Sequence, residues 1–261
     1  MIAFKGLLKK DYLLSKNWML TWFITIFILL LLSYGLSGYL HEPVVLIGSV
    51  IFLGSMHIGF IPVIMLSFLR TEGRTQLWLH SPQSSKMLIF SKMLISSAYQ
   101  LLSQLVLTIV FFILYEWILP KNTMNELPGM GLPYKEGFYI NLVIFCVAFY
   151  LSCWCLFYWT VYHSLSKFPS VKRFRWLVLI LLFIIWNTIE TLIMKIVPLA
   201  ELMKKWSISI YAEGSFHYEQ GKWNAEMTPI DVPLLPIVLY ALLTVLLFFA
   251  SSWFLEKKVE V

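Results

Sequence analysis

The sequence predicts an all-α integral membrane protein with six transmembrane helices, and three observations carry that expectation. Six stretches, residues 17–40, 44–69, 93–119, 138–162, 176–198 and 233–255, hold almost no charged side chains. The first is 24 residues long, which as a helix rises about 36 Å and crosses a hydrocarbon core of about 30 Å with some tilt. Composition agrees: 59% of residues are hydrophobic, 13% are charged, and the mean hydropathy is +0.78. Lysine and arginine also fall asymmetrically between the connecting segments, as the positive-inside rule requires.

With a cytoplasmic N-terminus, six spans return the C-terminus to the same side. The inside segments then hold Lys5, Lys9, Lys10, Lys16, Arg70, Arg74, Lys86, Lys92, Lys167, Lys172, Arg173, Arg175, Lys257 and Lys258, which are 14 of the 20 basic residues. Only Lys121, Lys135, Lys204, Lys205 and Lys222 fall outside, and Lys195 lies in a span. Both termini are therefore expected in the cytoplasm. The net charge of +6 is a topology signal spread over four segments, unlike the concentrated basic patch of a nucleic-acid binder, and it suits contact with anionic headgroups. The apolar run after Lys16 exceeds the roughly 7–15 residues of a signal-peptide core, and no small-residue cleavage site follows.

Taken in order, residues 3–18 form an amphipathic segment. Phe4, Leu7, Leu8, Leu14 and Trp18 recur at helical spacing, with the lysines mostly off that face. This predicts a separate interfacial helix lying in the headgroup plane. A tight turn at His41-Glu42-Pro43 joins spans one and two. Span two places Gly48, Ser55 and Gly59 on one face, where small side chains let a second helix approach closely. Pro62 should kink it.

Segment 70–92, RTEGRTQLWLHSPQSSKMLIFSK, is a cytoplasmic stretch broken at Gly73. A short helix or turn carrying Leu77, Trp78 and Leu79 is expected before Ser81-Pro82 caps the helix of span three. Its position between two spans suits docking of a peripheral protein. Span three aligns Ser96, Gln100, Ser103, Gln104 and Thr108. Span five aligns Asn187, Glu190, Thr191 and Met194 at i, i+3, i+4 and i+7. Both stripes are expected to face the bundle interior or a hydrated path, because polar groups against lipid are costly. The external connection before span four is rich in Pro and Gly. The last external loop, residues 201–232, alternates around Trp206–Tyr211, which predicts a small β-hairpin turning at Ala212-Glu213-Gly214.

No metal-protease, phosphate-cradling or paired-acid protease motif occurs, so no catalytic, cofactor-binding or metal-binding residues are assigned. Gly35-Leu36-Ser37-Gly38 matches the GxSG of rhomboid proteases, but His57 lies roughly 20 Å deeper than Ser37, too far for a catalytic pair. Cys146, Cys153 and Cys155 all fall in span four and are read as packing residues.

The interfacial helix, the six spans, the cytoplasmic segment after span two and the external segment before span six together resemble the ABC-2 type permeases, the membrane subunits of type V ABC transporters. The local match is Glu72-Gly73, Leu77-Trp78-Leu79-His80-Ser81-Pro82, Lys86 and Lys92, which looks like that family's coupling-helix region. Within the family the chain resembles the small permeases of Gram-positive bacteria, which handle peptides and antibiotics.

The resemblance implies a multi-pass protein of the bacterial cytoplasmic membrane, exporting an amphipathic or hydrophobic substrate. It would pair with a second permease, identical or related, and with two cytoplasmic ABC ATPase subunits that bind ATP and Mg. Glu72, Leu77, Trp78, Leu79, His80, Ser81 and Pro82 would couple to the ATPase. Gly48, Ser55, Gly59, Asn187, Glu190 and Thr191 would line the translocation path or dimer interface. Two alternatives stand beside it: a non-transport scaffold or sensor docking a cytoplasmic partner, and a channel or ion-coupled carrier, for which Glu190 and Lys195 are the basis. One departure is that the family's last external segment carries re-entrant helices, whereas residues 201–232 here are polar and hairpin-like.

Overall fold

The computed structural model describes residues 2–41, 44–75, 83–118, 134–196, 206–219 and 222–257. Six helical stretches within them are long and apolar enough to cross a bilayer, making this a multi-pass membrane protein.

The first helix, α1, runs unbroken from Ile2 to Leu40. At about 1.5 Å per residue it is about 58 Å long, roughly twice the hydrocarbon core. The separate interfacial helix expected over residues 3–18 is thus the N-terminal part of the same helix that carries span one. The cause is a buried line that shares only Leu7 with the apolar face read in the sequence. Leu7, Asp11, Ser15, Met19 and Ile26 are buried, whereas Leu14 is exposed. This line continues across the expected boundary without a proline, so neighbouring helices hold the entire length in register.

Span two comprises α2 (Val44–Met56), a 3-10 turn (His57–Gly59) and α3 (Phe60–Thr75). Pro62 is the third residue of α3. It lacks the N–H that would bond the Ile58 carbonyl, and its ring crowds that carbonyl, so the helix tightens into 3-10 geometry just before it. Gly73 does not break the chain, because α3 continues to Thr75. It lies beside the Trp159 ring, at 3.5 Å from where a Cβ would stand, an ordinary van der Waals contact.

Helix α4 (Ser85–Ile118) begins where the Ser84 carbonyl accepts from the Met87 and Leu88 amides. This start lies beyond Ser81-Pro82, which fall outside the described residues. Helix α5 spans Tyr134–Ser164, α6 Pro169–Lys172, α7 Arg175–Lys195 and α8 Leu234–Lys257. Helices α3 and α4 occupy the centre: α1 packs on α2, α3 and α4 on one flank, while α5 meets α3, α4 and α8 on the other. Ile61, Met65, Leu69, Ile89, Met93, Cys153 and Leu156 form the main buried cluster at this junction. Helix α7 is peripheral and touches chiefly α5, with no residue of its most apolar stretch buried.

Between α7 and α8, strands β1 (Ser207–Glu219) and β2 (Lys222–Pro233) pair antiparallel. The expected turn at Ala212-Glu213-Gly214 is instead a bulge inside β1, where Tyr211 opposes Pro229 and Glu213 opposes Thr228. One extra residue is absorbed there and the ladder continues. At the base of the hairpin the ladder closes with the Leu234 amide, the first of α8, donating to the Trp206 carbonyl at 2.7 Å.

Candidate functional site

Four charges from three helices converge at the end of the bundle that holds the N-terminus. Lys92 of α4 pairs with Glu72 of α3 at 3.0 Å and donates to Asp11 of α1 at 3.4 Å. Lys10 reaches Glu72 at 2.5 Å and Asp11 at 3.7 Å. The Asp11, Glu72 and Lys92 side chains are 0%, 1% and 2% exposed, whereas Lys10 is 35% exposed. Ser91 donates to the other Asp11 oxygen. The Lys92 ammonium also lies 5.8 Å from the Phe68 ring centroid.

Two cations and two anions give a neutral group, which is the condition under which charges tolerate burial. Glu72 lies three residues before the end of α3, and Lys92 lies two turns into α4. The quartet therefore clamps both flanks of segment 76–82 to α1.

Deeper in the bundle, a polar seam follows one side of α4, the side aligned in the sequence. Ser96, Gln100 and Ser103 are fully buried and Gln104 nearly so. Ser103 joins three helices: its hydroxyl lies 2.8 Å from Trp22 Nε1 and 2.8 Å from His57 Nε2. His57 Nδ1 is 2.8 Å from the Leu53 carbonyl. A carbonyl only accepts and an indole N–H only donates, so the partners fix the direction of the chain. The Trp22 N–H donates to Ser103, the Ser103 hydroxyl to His57 Nε2, and the His57 Nδ1–H to Leu53. His57 thus meets Ser103 and not Ser37. Further along, Gln104 donates to the Asn141 carbonyl at 3.2 Å, and Asn141 donates to Thr108 at 3.0 Å.

The residues singled out in the sequence fall in different places. Glu72 turns inward into the quartet and does not offer its carboxylate at the surface. Leu77, Trp78, Leu79, His80, Ser81 and Pro82 lie outside the described residues. Gly48, Ser55 and Gly59 all face out of the bundle, and a Cβ at Gly48 or Gly59 would meet nothing within 4 Å.

The span-five stripe divides. Asn187 and Thr191 are exposed and return their hydrogen bonds to the helix's own carbonyls, at 2.8 Å to Phe183 and 2.8 Å to Asn187 respectively. Of these three, Glu190 reaches another helix, accepting from the Tyr240 hydroxyl of α8. The division arises because α7 packs by a single edge, while self-bonding satisfies the remaining polar groups locally.

Sequence reading passed over Asp11, Lys10 and the pairing of Lys92. A signal was present: Asp11 is the only acidic residue in the first 40, within a segment bearing four lysines. An isolated acid there has a reason to be buried against a cation.

The uncharacterized protein YhcE of Bacillus subtilis (strain 168) is 31% identical to this chain over 262 residues, and the alignment covers 100% of both proteins. The chain belongs to the YhcE family. No protein-family model matches it.

The outward small-residue face of this family member leads to a separable prediction. Gly48→Leu and Gly59→Leu should leave the monomer folded, since open space surrounds both positions. Each should weaken self-association in a bilayer by about tenfold if that face joins two copies. Energy transfer between labelled chains at graded dilution in lipid measures this, and unchanged association would remove the face from any dimer contact.

Proposed function

We propose that this chain is the membrane-spanning permease subunit of an ATP-driven exporter of the ABC-2 type. It moves an amphipathic or hydrophobic substrate, peptide or antibiotic-like, across the bacterial cytoplasmic membrane. A separate subunit binds ATP and Mg and hydrolyses the nucleotide. Two permease copies and two ATPase subunits make up the assembly, with both chain termini in the cytoplasm.

The observation that carries this reading is the buried quartet of Lys10, Asp11, Glu72 and Lys92. A peripheral ATPase docked on residues 76–82 needs a stiff connection to the spans. The quartet supplies one by bracing the helix entering that segment, the helix leaving it and the long α1 against one another. Closure of the ATPases would move these three helices together, and the 3-10 turn at His57–Gly59 gives span two a place to bend. In this reading Glu72 transmits the push from within, while the docking contacts come from Leu77, Trp78, Leu79 and His80.

The test is purification of the chain from its native membrane in mild detergent, with co-purifying proteins identified and assayed for ATP hydrolysis. A stoichiometric ATPase that is lost on alanine substitution across residues 77–80 is the expected result. A preparation without any nucleotide-binding partner would overturn the exporter and favour a scaffold or sensor.

A further inference from the structure

Glu190 is a half-buried carboxylate within a membrane-spanning helix, and no cation pairs with it among the described residues. Such a charge is costly to hold within a bilayer. The Tyr240 hydroxyl answers one of its oxygens. Asn187 and Thr191, its neighbours on the helix, spend their donors on backbone carbonyls and leave the carboxylate alone. Polar packing inside the bundle therefore accounts for only part of what this carboxylate can bind.

Its surroundings are aromatic and come from three helices. The rings of Tyr240 and Tyr150 meet at 5.4 Å, nearly edge to face. One turn along, Trp186 of α7 and Trp154 of α5 meet at 5.2 Å. Trp186 precedes Glu190 by four residues and Tyr150 precedes Trp154 by four, so each pair shares a helix face. Tyr150, Trp186 and Tyr240 keep part of their surface open, because α7 is so sparsely covered. The result is a half-open cluster of aromatic side chains from α5, α7 and α8 beside one carboxylate.

We infer that this cluster binds a lipophilic organic cation, with the positive centre against Glu190 and the apolar body on the rings of Tyr150, Trp186 and Tyr240. A carboxylate beside electron-rich ring faces selects positive charge, and an open flank within the hydrocarbon lets a membrane-dissolved molecule enter sideways. An anion of the same size and apolarity is excluded by the carboxylate. Binding rests on this geometry alone. That the bound cation is the cargo rests on the exporter reading, and it narrows that reading's substrate class.

The probe is tetraphenylphosphonium, with tetraphenylborate as a control of matched size and opposite charge, titrated against the full chain in lipid nanodiscs by equilibrium dialysis. Saturable tetraphenylphosphonium binding is expected, weakened about tenfold or more in Glu190→Gln and several-fold in Trp186→Ala. Glu190→Asp should recover part of the affinity, and tetraphenylborate should not compete. Absent binding, binding unchanged in Glu190→Gln, or equal competition by tetraphenylborate would overturn the site. The measurement needs no ATPase, so it separates from the exporter reading. Cation binding without any ATPase partner would sink the exporter alone. An ATPase partner without cation binding would sink this site alone.

Discussion

Lys92→Met should destabilise the folded protein by about 3–5 kcal/mol, the range for removing one partner of a buried ion pair. The substitution keeps the length and apolar stem of the side chain, so the loss is that of the charge. Asp11 and Glu72 would then share only Lys10, which sits 3.7 Å from one and 2.5 Å from the other and is partly exposed. Two carboxylates with almost no exposure are then left facing a single, partly screened cation. Lys10→Met should cost much less, since Lys92 continues to bridge both acids and water reaches the vacated position.

The double variant Glu72→Gln/Lys92→Met removes one charge of each sign and restores neutrality. It should be more stable than the sum of its singles implies, by about 0.5–3 kcal/mol. Unfolding of each variant in mixed micelles, followed by helix content against denaturant, provides the comparison. If Lys92→Met proves no less stable than Lys10→Met, the quartet is not the brace described here. Charge reversal at Glu72 would place a third lysine beside two others in a buried site, so that variant reports on folding before it reports on docking.

His57→Phe should cost about 1–3 kcal/mol, the penalty for leaving buried polar groups unpaired. Phenylalanine preserves the aromatic contacts with Trp22 at 5.6 Å and Phe60 at 5.8 Å. It removes the acceptor of the Ser103 hydroxyl and the donor to Leu53. Exchanging Ser103 for alanine in the same background should recover part of the loss, because the hydroxyl that lost its acceptor is then gone. If the double variant is no more stable than His57→Phe alone, the hydrogen-bonded chain through Ser103 is not what holds His57. Unfolding under the same micelle conditions measures both. The effect is smaller than that of Lys92→Met because a neutral donor or acceptor is cheaper to strand than a charge.

Much of this protein's organisation could be read along the chain. The six apolar runs were legible because lipid permits only segments whose backbone bonds are internally satisfied, and apolar length records that requirement directly. The proline break was legible too, since Pro62 lacks the donor that Ile58 needs. The α4 stripe from Ser96 to Gln104 pointed inward as its spacing implies, because α4 is enclosed by α1, α2, α3, α5 and α8. The same argument separated the members of the stripe on α7, where one edge is packed and Asn187 and Thr191 satisfy themselves. Periodicity shows that residues share a face. Which neighbour covers the face is a property of the bundle.

The N-terminal segment marks this boundary most clearly. Its lysines and apolar residues specify helix and membrane proximity, and a helix lying flat satisfies those preferences as well as one continuing into span one. The choice falls to Asp11, whose carboxylate finds Lys92 and Ser91 about 80 positions away in sequence. The sequence by itself determined the solvent, the number of spans and the irregular turn ahead of Pro62, because each depends on local backbone chemistry and on transfer into lipid. Only the tertiary structure decided that α1 is one helix, that Glu72 is buried, and that Glu190 meets Tyr240. Those outcomes depend on which distant side chain neutralises a charge, and in a low-dielectric interior that pairing outweighs any local preference.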